Sequence, residues 1–596
     1  MEFPKLFVAA TRETGGFEQH IPAPCLRKTF TLENVPHKAD FLISGLGFYE
    51  AFINGTRITK GHMAPYISNS DHIVYFDRYE IASLLREGKN CVGVVLGNGM
   101  QNAFGGYVWD FDKTAFRSAP KAAFRLELDE DTAIESDVSV KTAPSPIVFN
   151  ELRCGEFYDA NKEIAGWNLP EFDDSAWENA LIAENPRGER RICEADPILP
   201  QRELRTVSIT EQDGGYLYDF GENCTGVTRL RIQGEPGQVV TIGHGEWMHR
   251  GKLDLHNFGH FYPEGYWQKT QYTCRGGEEE VYQPGFTYYG FQYALVQGVT
   301  KEQATPELLT YVVLNSNLAE NGSFRCSDET ANILQSMCRR STLANFLYFP
   351  TDCPHREKNG WTGDASVSCE HTLLNLVPEK SYREWLHNIR KAMNEKGQLP
   401  GVVPTGDWGY HWGNGPCWDQ VLTTLPYFTY LYRGDKAILE ENATAIFRYL
   451  VYLDENLNKQ GLIDFGLGDW VQVSREAHKP TAPVELTNSI MSMEIARMAA
   501  YIFGELGMEN KRQFALRLQE TLRANLRKYK IDLNTMTAAG NCQTSQAMAI
   551  YYDVFEPGEK RAAMDVLLKL IDEKDGKFDV GMLGFRVLFH LLSQFG

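Results

Sequence analysis

Over roughly the first 315 residues, apolar and polar positions alternate with a period of two. Residues 41–44, 50–54, 72–76, 91–97 and 123–128 are short alternating runs rich in Val, Ile, Phe and Tyr. That is the pattern of strands that bury one face. Asn54-Gly55 and Asn98-Gly99 fall between such runs; both are dipeptides that suit tight turns. The spacing predicts antiparallel β-sandwiches. Residues 151–200 break the pattern: Trp167 and Trp177 stand among many acids, glycines and prolines. This stretch is expected to be a long excursion or linker that closes the first unit. A second β unit follows, with runs at 216–221, 227–234 and 238–244 and a last run at 288–296. Gly234-Glu-Pro-Gly237 is the turn expected between two of its strands.

From Ser327 the period becomes helical. Ser327 is the expected N-cap, with Asp328 and Glu329 in the first turn, where the helix dipole favours acids. Helices are predicted over 364–376, 380–395, 417–432, 436–457, 485–506, 509–529, 542–553, 558–572 and 580–594, roughly ten in all. Their connections are rich in Gly, Pro and Trp. Serial helices of this kind predict an α/α toroid or a helical repeat. No fixed-length repeat is visible, which disfavours a solenoid. The chain therefore reads as multidomain, with β-sandwich domains over 1–200 and 201–315 and an all-α domain over 316–596.

Candidate chemistry concentrates in Asp352-Cys-Pro-His-Arg356-Glu357-Lys-Asn-Gly-Trp361-Thr-Gly-Asp364. Pro354, Gly360 and Gly363 predict loop for most of it. Three carboxylates, a guanidinium and an indole suit a polar ring-shaped ligand: an acid moves a proton and an indole face carries a sugar ring. Two further segments place tryptophan beside aspartate after a glycine, Gly415-Pro-Cys-Trp418-Asp419 and Gly468-Asp469-Trp470. A third aromatic stretch is Gly406-Asp-Trp408-Gly-Tyr410-His411-Trp412. Any one of these tryptophans alone is more often core; together, in inter-helical loops beside polar residues, they point to sugar binding. Glycoside hydrolysis fits, because it needs a protonated carboxyl, a second carboxylate and groups that hold hydroxyls. Around Glu357, neighbouring carboxylates would raise its pKa and Arg356 would lower it. Nothing resembles a phosphate loop, a serine nucleophile elbow or a His-Glu-x-x-His helix.

Charge and cysteine usage narrow the partners. The 596 residues carry a formal net charge of −19 with a pI near 5.3, which argues against nucleic acid and against an anionic membrane surface. The 12 cysteines contain no Cys-x-x-Cys pair, so neither a zinc site nor a redox motif is expected. Scattered single cysteines fit a reducing compartment. No basic n-region with a long apolar h-region opens the chain and no apolar run is long enough for a bilayer. The expected location is cytoplasmic, with no cofactor and no metal.

The loop at 352–364 closely resembles the signature of bacterial α-L-rhamnosidases, glycoside hydrolase family 78. The likeness runs along nearly the whole chain. Gly47-Phe-Tyr-Glu-Ala-Phe-Ile-Asn-Gly55 and Leu96-Gly-Asn-Gly99 resemble the family's N-terminal sandwich. Tyr218-Asp-Phe-Gly-Glu-Asn-Cys-Thr-Gly226 and Phe286-Thr-Tyr-Tyr-Gly-Phe-Gln-Tyr293 resemble its next sandwich, and Phe324-Arg-Cys-Ser327 and the tryptophan segments its (α/α)6 barrel. The resemblance implies an inverting exo-hydrolase that releases terminal α-linked L-rhamnose from an oligosaccharide or glycoside. It gives Glu357 the general-acid role, Asp352, Arg356 and Asp364 the sugar hydroxyls, and Trp361, Trp418 and Trp470 the apolar wall. His355 stands where a glutamine is usual. The family's water-activating carboxylate lies in a late barrel loop, before a C-terminal sandwich, and nothing after Gly540 matches it. The expectation is a barrel incomplete at Gly596 with its general base beyond, and Asp469 as the fallback. Alternatives are another sugar on the same barrel, or carbohydrate binding without turnover.

Overall fold

A computed structural model describes residues 2–129, 132–255, 261–473 and 481–595. The chain divides into two compact units. One comprises Met1–Leu318 and Phe324–Asn359; the other comprises Ala319–Ser323 and Gly360–Gly596.

The first unit opens with a seven-stranded and a six-stranded sheet. The strand Ala39–Leu46 is buried along its whole length, and its alternation divides it between two cores. Phe41 and Ile43 enter a core shared with Leu26, Val92 and Val94 of the six-stranded sheet. Leu42 and Leu46 enter a smaller one with Phe7, Val74 and Phe76. Each such side chain contributes about 1.5–3 kcal/mol on burial. Asn54-Gly55 joins Phe48–Ile53 to Thr56–Arg57 with both residues at positive φ, +50° and +86°, the two-residue hairpin turn its sequence predicts. Asn98-Gly99 forms no hairpin. Asn98 instead donates from its backbone N to Asn150 Oδ1 (2.7 Å) and from Nδ2 to Asn150 O (2.7 Å).

Residues 151–200 are less irregular than their composition predicts. Glu178–Asn179, Leu181–Ala183 and Glu189–Ile192 pair onto the first two sheets. Gly155–Asp159 runs parallel to Lys269–Thr273 in the next one. Between them, the polar stretch 167–174 is anchored by Arg27, a fully buried guanidinium. It donates to the carbonyls of Trp167 (2.9 Å) and Leu169 (2.8 Å) and pairs with Asp174. One guanidinium thus supplies several fixed donors to a segment that has no sheet of its own.

The second β region is a single hydrogen-bonded sheet of ten strands. Its sequence reads as separate runs at 216–221 and 227–234, yet one 18-residue strand, Gly215–Ile232, spans both. A register shift between Asp219 and Cys224 bends it. The strand pairs with Tyr289–Gln297 and then passes to Leu309–Ser316, the behaviour of a bulged strand that turns a sheet corner.

Helix α1 (Glu329–Ala344) closes the first unit. Its N-cap is Asp328, not Ser327: the Asp328 carboxylate accepts from the amides of Thr330 and Ala331. In the second unit follow α2 (Thr362–Asn375), α3 (Glu379–Ala392), α4 (Pro416–Asp419), α5 (Val421–Arg433), α6 (Lys436–Glu455), α7 (Val484–Glu505), α8 (Glu509–Lys530), α9 (Gln543–Tyr551), α10 (Lys560–Asp572) and α11 (Met582–Phe595). The run 417–432 is split at Gln420 into α4 and α5. The last helix meets the first of this unit through an Arg586–Glu370 pair at 3.5 Å. Along α11, Leu583, Val587, Leu588 and Leu591 are buried while Phe585 and Phe589 are about half exposed. Among the described residues no helix is long and apolar enough to cross a membrane.

Candidate active site

The signature segment crosses from one unit to the other: 352–359 belong to the β-rich unit and 360–364 to the helical one. In the β-rich unit the segment closes on itself. Asp352 N donates to Asn359 O (3.1 Å), and Asp352 Oδ1 accepts from Asn359 N (3.1 Å). Pro354 lies against Gly290, where a Cβ would stand 2.6 Å from its Cγ. Lys358 takes φ +55°, a left-handed conformation that costs a lysine something and persists only where its surroundings hold it.

Those surroundings are a buried polar clamp. Lys358 Nζ donates to the carbonyls of Leu152 (3.0 Å), Arg153 (3.2 Å) and Tyr288. Its ammonium also lies 4.6 Å from the Tyr288 ring centroid. Burial pushes this group down to about 7, with Glu151 acting the other way. Arg153 is buried too. Its Nε donates to Glu357 O (2.8 Å) and its Nη2 to Asn359 Oδ1 (2.5 Å). Glu151 orients it by accepting from the backbone amides of Arg153 (2.6 Å) and Cys154 (2.9 Å). The peptide carrying Glu357 is therefore held by residues 204 positions away in sequence.

On this clamped loop Asp352 and Glu357 are half-buried, and one ligand atom from each lies within 4.8 Å of the other and of Cys353 Sγ. Arg356 Nε is 4.0 Å from Glu357 Oε1. Burial, then the charges of Asp352 and Glu357, push the Cys353 thiol well up. The spacing of the three groups would admit an ion.

In the helical unit Trp361 precedes α2, and its backbone is bridged to Val402. Thr362 N donates to Gly401 O (2.9 Å). Helix α2 thus starts two residues earlier than its sequence pattern predicts and takes Asp364 into its first turn, where a carboxylate is favoured. The Trp361 ring meets Trp408 (5.8 Å) and Trp412 (6.2 Å) edge-on, and Trp412 meets Trp470 (6.1 Å). Gly413, at φ +85°, admits this arrangement because a Cβ there would lie 2.9 Å from the Trp361 ring. Trp412 is 47% exposed. Trp418 is only 2% exposed and packs beneath Gly363, whose Cβ would touch its indole at 2.6 Å.

The two aspartates beside these tryptophans have structural partners. Asp419 accepts from Gly415 N (3.1 Å) and Tyr449 OH (2.9 Å), and burial holds its carboxyl well above the ordinary range. Asp469 accepts from Thr544 Oγ1 (2.5 Å) and from the amides of Gly581 (2.7 Å), Leu583 (2.9 Å) and Gly584 (3.4 Å). Burial still pushes it up against those four donors. Its oxygens anchor the start of α11, so it is a poor choice for a water-activating base.

The structure thus brings Asp352, Arg356 and Glu357 together on one loop, and Trp361 and Trp470 together through Trp408 and Trp412. Sequence reasoning left out the latter pair although it had marked their stretch. It also missed Arg153, which carries no local signal, and Lys358, which reads as a spacer inside the motif.

Comparison with known proteins agrees along the whole chain. Residues 34–201 match the α-L-rhamnosidase N-terminal domain model, 209–315 the bacterial α-L-rhamnosidase concanavalin-like domain, and 319–596 the bacterial α-L-rhamnosidase six-hairpin glycosidase domain. An α-L-rhamnosidase of Formosa agariphila is 28% identical over 98% of this chain and 64% of its own length. One from Streptomyces avermitilis is 28% identical over 100% of this chain and 57% of its own. The chain therefore spans less than two thirds of these curated relatives. Among solved structures, the α-L-rhamnosidase of Dictyoglumus thermophilum superposes with a TM-score of 0.91 at 29% identity, covering 99% of this chain and 67% of that one. The Streptomyces avermitilis enzyme complexed with L-rhamnose gives 0.88 at 27% identity, with 97% and 55% covered.

Proposed function

We propose, for a chain that belongs to the bacterial α-L-rhamnosidase family, glycoside hydrolase family 78, that it supplies the acid and sugar-binding parts of an exo-hydrolase for terminal α-L-rhamnose. The observation that carries the reading is the loop itself. Glu357 is presented half-buried beside Asp352, on backbone held by Arg153 and Lys358. Glu357 gives its proton to the leaving oxygen. Asp352, Arg356 and Asp364 hold hydroxyls, and Trp361 and Trp470, with Trp408 and Trp412, offer the apolar wall for the C6 methyl. Trp418 supports the turn that carries Asp364. A relative complexed with L-rhamnose supports this choice of sugar. The partner is a rhamnose-containing oligosaccharide or glycoside.

Inversion requires a second carboxylate about 6.5–9.5 Å from the acid, with a water between. Asp352, within 4.8 Å of Glu357, is too close, and Asp469 is committed to α11. The base is a different carboxylate. Asp469's commitment also keeps a second reading in play, sugar binding without turnover. None of the 12 cysteines forms a disulfide with another, which supports a reducing and hence cytoplasmic setting that cell fractionation tests.

The deciding experiment compares the parent with Glu357→Gln on p-nitrophenyl α-L-rhamnoside and on a natural rhamnosyl disaccharide. The variant is expected to lose on the order of a hundredfold or more on the disaccharide and less on the aryl substrate, whose leaving group needs less protonation. Parental rates on the disaccharide would refute Glu357 as the acid. L-rhamnose binding without any product release would favour the second reading.

A further inference from the structure

Arg356 does not choose its direction alone. Its Nη1 lies 2.9 Å from His355 Nε2. A guanidinium only donates, so Nε2 accepts and the neutral ring carries its proton on Nδ1. Nδ1 in turn faces Glu246 Oε2 at 3.7 Å, a charge–dipole contact longer than a hydrogen bond. Burial, then the positive charges of Arg356 and Lys358, push the imidazole down to about 3, so the ring stays neutral at any ordinary working pH. Its backbone is fixed as well: Tyr262 OH donates to His355 O (3.3 Å), and Pro354 fills the space left by Gly290. Glu246 is half-buried and hydrogen-bonded to Asn223.

We infer that Glu246, His355 and Arg356 form a positioning array that holds the guanidinium against Glu357, with His355 as the positioning residue. The inference rests on the reading of Glu357 as general acid. From the acid outward the order is carboxyl, guanidinium, neutral imidazole, carboxylate, and each group orients the next. Asp352 and Cys353 also face Glu357, whereas Arg153 acts on its carbonyl and Lys358 on the loop backbone. A glutamine at this position would offer the same two groups, one acceptor to Arg356 and one N–H to Glu246.

Removing the imidazole frees the guanidinium from the acid. A positive neighbour favours the carboxylate, so its release lets Glu357 keep its proton to higher pH. His355→Leu is expected to lower kcat about tenfold and to move the basic limb of the pH–rate profile on p-nitrophenyl α-L-rhamnoside upward by about half a unit or more. His355→Gln is expected to rescue most of both effects, and Glu246→Gln to shift the limb the same way by less. A His355→Leu protein with the parental melting temperature and an unmoved basic limb would overturn the array. NMR of the 15N-histidine-labelled parent, with the His355 signal identified by its loss in His355→Gln, tests the array without turnover. A neutral ring protonated at Nδ1 that does not titrate between about pH 5 and pH 8 is expected; an Nε2–H tautomer, or titration in that range, overturns it. A parent that neither binds L-rhamnose nor cleaves the aryl rhamnoside defeats the functional reading instead, and the NMR result still decides the array.

Discussion

Lys358 shows how a charged residue inside a catalytic motif serves the fold. Its three acceptors are backbone carbonyls, and that of Leu152 also accepts from Thr287 Oγ1 at 2.8 Å. Burial lowers the ammonium from the ordinary 10.5 to about 7. Between those values the folded protein binds fewer protons than the unfolded chain. The residue's contribution to stability therefore rises with pH across that window, is full above it, and is lost as pH falls through about 7. Comparing parent and Lys358→Met by melting temperature should show the parent gaining on the variant between about pH 6 and pH 9. A constant difference would mean that the ammonium stays charged throughout, held by its carbonyls and the Tyr288 ring. Arg153 acts on the same loop through Glu357 O and Asn359 Oδ1. Arg153→Met should lower kcat by tenfold or so with little change in KM, since a displaced acid costs chemistry more than binding.

At the level of elements, α11 depends on a residue over a hundred positions before it. Helix N-termini leave amides without intrahelical partners, and α11 has two of them, Leu583 and Gly584, on Asp469 Oδ1. Asp469→Ala leaves these and Gly581 N without that acceptor, a loss of about 2–4 kcal/mol. Hydrogen exchange should rise over 582–595 and the melting temperature should fall. Lost turnover with unchanged exchange in α11 would instead restore Asp469 as a base. The start of α2 depends likewise on a close approach. Gly363→Ala places a methyl group 2.6 Å from the Trp418 indole, so α2's first turn and Asp364 must shift. L-rhamnose affinity measured by calorimetry should fall tenfold or more; unchanged affinity would remove Asp364 from the sugar's partners.

Taken whole, the molecule is strongly acidic, at −19, and its proposed substrate is neutral. Coulombic steering is screened by salt, whereas hydrogen bonding and stacking on a neutral sugar are not. The dissociation constant for L-rhamnose should change less than about twofold between roughly 0.05 and 0.5 M NaCl. A steep salt dependence would point to a charged ligand such as a uronic acid. In the same salt range the protein should not be retained on immobilised nucleic acid.

Period was enough for the change from strand to helix near residue 327 and for helix bounds within a few residues, and the Asn-Gly dipeptide for the hairpin at 54–55, because each follows from neighbours along the chain. The chemical content of 352–364 was equally legible, since the motif is contiguous and its residue types state the reaction class. Position beyond the local chain was not. No spacing predicts that Arg153 and Tyr288 clamp the peptide of Glu357, that Arg27 supports a polar excursion some 140 residues later, or that Asp469 caps α11. Nor could periodicity tell that Gly215–Ile232 is one bent strand, or that Trp412 joins Trp361 to Trp470 while Trp418 is buried under α2. Burial of a polar group creates a demand for a partner that sequence records as a residue type alone; which partner meets it is settled by the tertiary fold, because only there do distant donors and acceptors come within hydrogen-bonding distance.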